Sequence, residues 1–103
     1  MNFKTHNDAA IHTLGTHLQG VISMPYSKIV KVFGEPRIWD EEKVDAYWEI
    51  VFEDGTPATI YNYKDGKNYN GKDGLETDDI TEWHIGGFGR KSVLLVQQSL
   101  GVD

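Results

Sequence analysis

The stretch "KVDAYWEIVFEDGTPATIYNYK" (43–64) constrains the fold more than any other part of the chain. Val44, Ala46, Trp48, Ile50 and Phe52 alternate with Asp45, Tyr47, Glu49, Val51 and Glu53. Successive side chains of a strand leave opposite faces, so this period of two predicts a strand with one apolar face. "EDGTP" (53–57) turns the chain and "ATIYNYK" (58–64) returns, which predicts a β-hairpin.

The flanking segments supply partners for that hairpin. "HLQGVISM" (17–24) predicts a short strand, with Leu18 and Ile22 on one side, Val21 and Ser23 on the other, and Gly20 a bulge or close approach. Ile11 and Leu14 either extend it or form a separate turn. "YSKIVKVFGEP" (26–36) predicts a short helix: Ser27 caps it, and Ile29, Val32 and Phe33 make one stripe. Gly34 takes the left-handed stop and Pro36 prevents continuation. "ITEWHIGG" (80–87) predicts a third strand of the sheet, with Trp83 and Ile85 on one face and Glu82 and His84 on the other. "GRKSVLLVQQSLG" (89–101) predicts a terminal helix with a stripe of Val93, Val96 and Leu100, ended by Gly101. Residues 1–10 are polar and are expected to be loose. The order predicts one α+β domain, a small antiparallel sheet with a short helix and a C-terminal helix packed on one face. A length of 103 residues fits that single domain.

Charge and composition exclude several functions. Ten Lys and Arg face sixteen Asp and Glu, for a net charge of −6. Phosphate binding needs a positive face, so direct nucleic-acid binding is disfavoured. A basic partner protein and mimicry of nucleic acid both stay open. The chain has no cysteine, which removes disulfides, thiol catalysis and Cys-ligated zinc. "MNFKTHNDAA" carries no long apolar run, so no signal peptide is expected. No run of about 18 apolar residues exists, so no membrane span is expected. These features predict a cytoplasmic protein.

The glycine-punctuated stretch "IYNYKDGKNYNGKDGLETDD" (60–79) has the look of a metal or phosphate loop. Asp65 to Glu76 has the length and both ends of a calcium loop, but Lys67, Tyr69 and Asn70 stand where ligands and a glycine are needed. Gly66, Gly71 and Gly74 lack the spacing of a phosphate loop. "GGFG" (86–89), with Arg90 and Lys91 adjacent, could hold an anion at a helix start, though glycines there more simply let a strand turn into a helix. No serine sits in a nucleophile elbow, and His84 reads as a structural strand histidine, with no paired histidine for a metal. No catalytic residue, metal set or cofactor motif emerges, which predicts a non-enzymatic protein without a cofactor.

A binding surface is the remaining reading. Tyr61, Tyr63 and Tyr69 cluster with Lys64, Lys67 and Asn68, and Trp83 and His84 come near if the strands pair. Tyr and Trp give large contact area with few rotors to freeze. The same rings could equally be core or cross-strand packing. Acidic residues also cluster, at Asp40, Glu41, Glu42 and Asp45 and at Asp73, Glu76, Asp78, Asp79 and Glu82.

"IVKVFGEP" (29–36), "WEIVFEDGTPATIYNYKDGKNY" (48–69) and "ITEWHIGG" (80–87) together resemble a group of small uncharacterised bacteriophage proteins. The matching pieces span most of the chain after residue 17. The group brings no activity, so no catalytic residue is carried over. The resemblance implies a phage protein that binds and disables a host factor in the host cytoplasm, an anti-defence protein of anti-CRISPR or anti-restriction type. Its target would be a host protein, for example one that itself binds nucleic acid, met by the acidic segments (Asp78, Asp79) and exposed rings. The alternative is a sponge for a nucleotide-like small molecule, with Tyr61, Tyr63 and Trp83 stacking on a base and Lys64, Lys67 and Arg90 meeting phosphate. Monomer and homodimer are both open.

Overall fold

The computed structural model describes residues 1–102, the side chains of Asp40 and Glu41 excepted. Its frame is one antiparallel sheet of six strands: β1 (Phe3–Thr5), β2 (His17–Ser23), β3 (Arg37–Glu41), β4 (Val44–Phe52), β5 (Pro57–Tyr61) and β6 (Glu82–Gly87). The spatial order is β1-β4-β5-β6-β2, and β3 also pairs with β4. β1 lies against Ile50–Phe52 and β3 against Val44–Tyr47, so the two short strands share one edge of β4. Three helices complete the fold: α1 (Tyr26–Phe33), the single turn α2 (Lys67–Asn70) and α3 (Arg90–Ser99).

The hairpin forms as its alternation requires. Trp48 faces Ile60 and Ile50 faces Ala58 across β4 and β5, and the five alternating apolar residues of β4 are all buried. The apolar rows continue through Ile60↔Ile85 and Trp83↔Ile22 onto β6 and β2. Ile29 and Phe33 of α1, Val93 and Val96 of α3, and Leu100 at its C-cap join the same core. Each large apolar side chain buried here contributes about 1.5–3 kcal/mol. The Trp48 and Trp83 rings meet edge to face at 5.3 Å. Their indole N–H groups donate to Gly34 O and Met24 O at 2.8 and 3.0 Å, so burial leaves neither donor unpaired.

Gly20 serves both roles open to it. The register slips between Leu18 and Gly20, and a β-carbon at Gly20 would meet Val93 of α3 at 3.1 Å. Gly34 ends α1 with φ of 84°, a conformation that side chains rarely adopt.

Two expectations are corrected, and one strand is new. Ser27 does not cap α1: the cap residue is Pro25, whose carbonyl accepts from the Lys28 and Ile29 N–H groups, and Ser27 lies one residue inside the helix. Residues 1–10 are not all loose, because Phe3 packs on the core and Phe3–Thr5 pair with β4. β3 was not expected at all. Its Ile38 is 74% exposed and its Trp39 49%, so it carries no inward alternation to read. No helix among the described residues is long and apolar enough to cross a membrane.

Candidate functional site

Both helices of the core lie on one face of the sheet, so the side chains of opposite parity define a second, open face. Strand register places Tyr47 of β4 opposite Tyr61 of β5, Tyr61 opposite His84 of β6, and His84 opposite Val21 of β2. The result is a row across four strands, two phenols, an imidazole and an isopropyl group. The Tyr61 and His84 ring centres are 5.4 Å apart. Trp39 closes on Tyr47 at 4.9 Å, and Tyr63 closes on His84 at 5.2 Å. Such spacings are those of attractive ring pairs.

The segment before β2 crosses part of this face. His6 N–H donates to Glu49 O at 3.1 Å, and Glu49 N–H donates to His6 Nδ1 at 3.2 Å. The Nδ1 atom is therefore an unprotonated acceptor, and His6 Nε2 donates to Glu35 O at 3.0 Å. Thr13 then donates to the Glu49 carboxylate at 2.9 Å, and that carboxylate also lies 3.6 Å from Arg37. Gly15 comes to rest near the Phe88 ring. The segment thus lies across the row that runs Glu49, Thr59, Gly86, one row over from the rings.

Beyond β5 the loop is held by amides and carboxylates. Asn62 is buried, and its Oδ1 accepts from the Asp45 and Ala46 N–H groups at 2.8 and 3.1 Å. Its Nδ2 donates to Asp45 and Asp65. The second Asp45 oxygen accepts from Asn68 N–H at 3.0 Å, and the Asn68 amide donates to Trp39 O and Val44 O. A β-carbon on Gly66 would overlap the Asp45 carboxylate, so glycine lets the loop approach. Among the described residues no buried side-chain polar atom lacks a partner. Burial raises the Asp65 carboxyl above its ordinary 3.8, and the charges of Asp45 and Glu82 push the same way. Burial, then the neighbouring Tyr63, raises the Tyr61 phenol above 10.0, so it stays protonated in neutral solution.

This network presents Lys64 in an unusual backbone state. It is the one non-glycine with positive φ among the described residues, at 63°. Its ammonium group stands over the Tyr63 and Tyr69 rings, 5.3 and 5.5 Å from their centres. The rings of this end already hold a cation of the chain's own.

The structure therefore gathers Tyr61, Tyr63, Lys64, Tyr69 and His84, and adds Trp39 and Tyr47. Lys67 pairs with Glu76 at 2.7 Å, and Asn68 is part of the loop's scaffold. Trp83 is corrected: it is 0% exposed and belongs to the core face, opposite in parity to His84. It cannot stack on a ligand together with Tyr61 and Tyr63. Asp78 and Asp79 are exposed on a 3₁₀ turn (Thr77–Asp79) beside α1, and Arg90 begins α3. Neither belongs to the ring row. Of the first acidic cluster, the Asp40 and Glu41 side chains lie outside the described residues, while Asp45 is a buried scaffold group.

The glycines before α3 serve packing. A β-carbon at Gly87 would overlap Ser92, whose hydroxyl donates to Pro57 O at 2.7 Å. Two shallow concavities, of about 280 and 230 Å³, lie around Phe3, one against Phe52 and the other against Phe33, and no ring of the row lines either. Among the described residues no group of three or more His, Asp or Glu converges as a metal site. The sequence does not point to Trp39 or Tyr47: only a turn centred on Asp54, as the structure has it, puts Tyr47 opposite Tyr61. What the site can do is stack: half-buried rings of the row, with Trp39, Tyr63 and Tyr69 exposed around them and the Lys64 ammonium beside them. No protein-family model matches the chain, and no curated protein matches it.

Proposed function

We propose that this chain is a non-enzymatic binding protein that engages a partner protein, one to one, through the ring row of its open sheet face. The observation that carries the reading is the row Tyr47–Tyr61–His84, flanked by Trp39 and Tyr63 and left uncovered by the helices. Strands hold most of these rings, so little freedom is lost on binding. Buried aromatic anchors carry much of the energy of protein interfaces. The resemblance to small phage proteins supports the rest of the proposal. The partner is then a host factor, and the use is inhibition of a host defence, of anti-CRISPR or anti-restriction kind, in the host cytoplasm. Asp78 and Asp79 stand apart from the rings and offer such a partner an acidic approach.

The test is quantitative capture from bacterial lysate with the tagged wild type and a Tyr47→Ser/Tyr61→Ser/Tyr63→Ser variant whose melting is checked first. A stoichiometric protein held by the wild type and lost by the folded variant is the expected result. The same protein held equally by both, or none held by the wild type, overturns the proposal.

A further inference from the structure

The two outer edges of the sheet are unlike. One is divided between β1 and β3, of three and five residues, and carries Lys4 and Arg37. Short strands and charges keep an edge from pairing with another chain. The other is β2, seven residues long, "HLQGVIS", without Lys, Arg, Asp, Glu or Pro. Its inner side pairs with β6, and among the described residues no strand lies on its outer side.

The backbone groups free for pairing follow from the ladder. Met24 N–H donates to Thr81 O at 2.7 Å, which makes these two a hydrogen-bonded pair. Antiparallel pairs alternate, so Ile22 and Gly20 also bond inward, towards Trp83 and Ile85. The N–H and C=O groups of Val21 and Ser23 therefore point outward. The Leu18 and Val21 side chains stand exposed beside them.

We infer that β2 pairs antiparallel with β2 of a second copy, across a two-fold axis at Ile22. Val21 of each copy then faces Ser23 of the other, and every outward N–H and C=O of these residues finds a partner. The pairable segment is bounded by the bulge between Leu18 and Gly20 at one end and by Pro25, which has no N–H, at the other. A second copy is the occupant the chemistry selects. The chain carries a net charge of −6, and none of it falls on these seven residues, so two acidic copies meet here without opposed like charges. An antiparallel edge is its own complement about a two-fold axis. The guarded β1 and β3 edge stops growth, so the assembly closes at two. The row that ends at Val21 then runs on to Ser23 and Glu82 of the other copy, and the open face becomes continuous across both.

Sedimentation equilibrium of the full chain, from micromolar to sub-millimolar concentration, tests this together with hydrogen exchange of the Val21 and Ser23 amides. The expected result is the mass of two chains at the upper end, with exchange of both amides slowing as concentration rises. Val21→Lys brings two ammonium groups to the shared edge and weakens association at least about tenfold, without lowering the melting temperature of dilute protein. Ser23→Lys, at the neighbouring outward position, gives the same result and serves if the first variant does not fold. A single-chain mass throughout overturns the inference. So does a dimer whose two amides exchange as in dilute protein, or one that either folded variant leaves intact.

Discussion

Asn62 accepts the Asp45 and Ala46 N–H groups with its side chain, just past the point where β5 ends at Tyr61. It is fully buried and also donates to two carboxylates. Asn62→Ala leaves buried donors and acceptors unpaired, and should cost about 2–4 kcal/mol in urea unfolding. Asp65 works in the opposite direction. Its folded carboxyl titrates above 3.8, so the native state holds a proton that the unfolded chain has released. Stability must then fall as pH rises through that window, and the loss persists at neutral pH. Asp65→Asn keeps an oxygen for Asn62 to donate to. It should be more stable than the parent at neutral pH, with the advantage gone well below 3.8, as read from melting curves across pH. Lys64 separates strain from contact. Lys64→Ala keeps the positive φ and loses the ring contacts, while Lys64→Gly loses the contacts and relieves the backbone. The glycine variant should be the more stable of the two by about 1 kcal/mol.

Among the elements, those with a long apolar alternation or stripe were legible in the sequence. β4 needed nine residues to bury one face, and its hairpin partner, β6 and both long helices follow from the same burial. β1 and β3 were not legible, because edge strands of three and five residues add little to the core, and Ile38 and Trp39 face solvent. The loop's scaffold was hidden for another reason. Asn62, Asp65 and Asn68 are residue types that also mark plain turns, and only the folded chain shows them bonding to β4. Trp83 and His84 are neighbours in sequence, but strand parity sends one into the core and the other to the open face. The two tryptophans Trp83 and Trp39 make that distinction measurable. Trp83→Ala should cost about 3–5 kcal/mol in denaturant unfolding. Trp39→Ala, which gives up a half-exposed ring and its pair with Tyr47, should cost only about 0.5–1.5 kcal/mol, and should weaken partner binding.

For the whole molecule, the helices cover one face of the sheet with the core and leave the other to the rings, while Asp78 and Asp79 stand apart on a turn beside α1. This separates two effects on binding. Charges at a rim act mainly on encounter, and anchored rings act on dissociation. Reversing Asp78 and Asp79 to lysine should slow association with a basic partner and flatten its salt dependence, with the dissociation rate little changed. Removing Tyr61 and Tyr63 should speed dissociation instead. Both rates are read from surface-plasmon kinetics at two ionic strengths. The measurement that tests the central claim most directly is oxidative footprinting of the exposed rings, in the free protein and in the complex with its captured partner. The account predicts that Trp39 and Tyr63, reactive in the free protein, become protected, while Leu94, exposed on α3 on the helix side of the sheet, keeps its reactivity. Full reactivity of Trp39 and Tyr63 in a stoichiometric complex would contradict it.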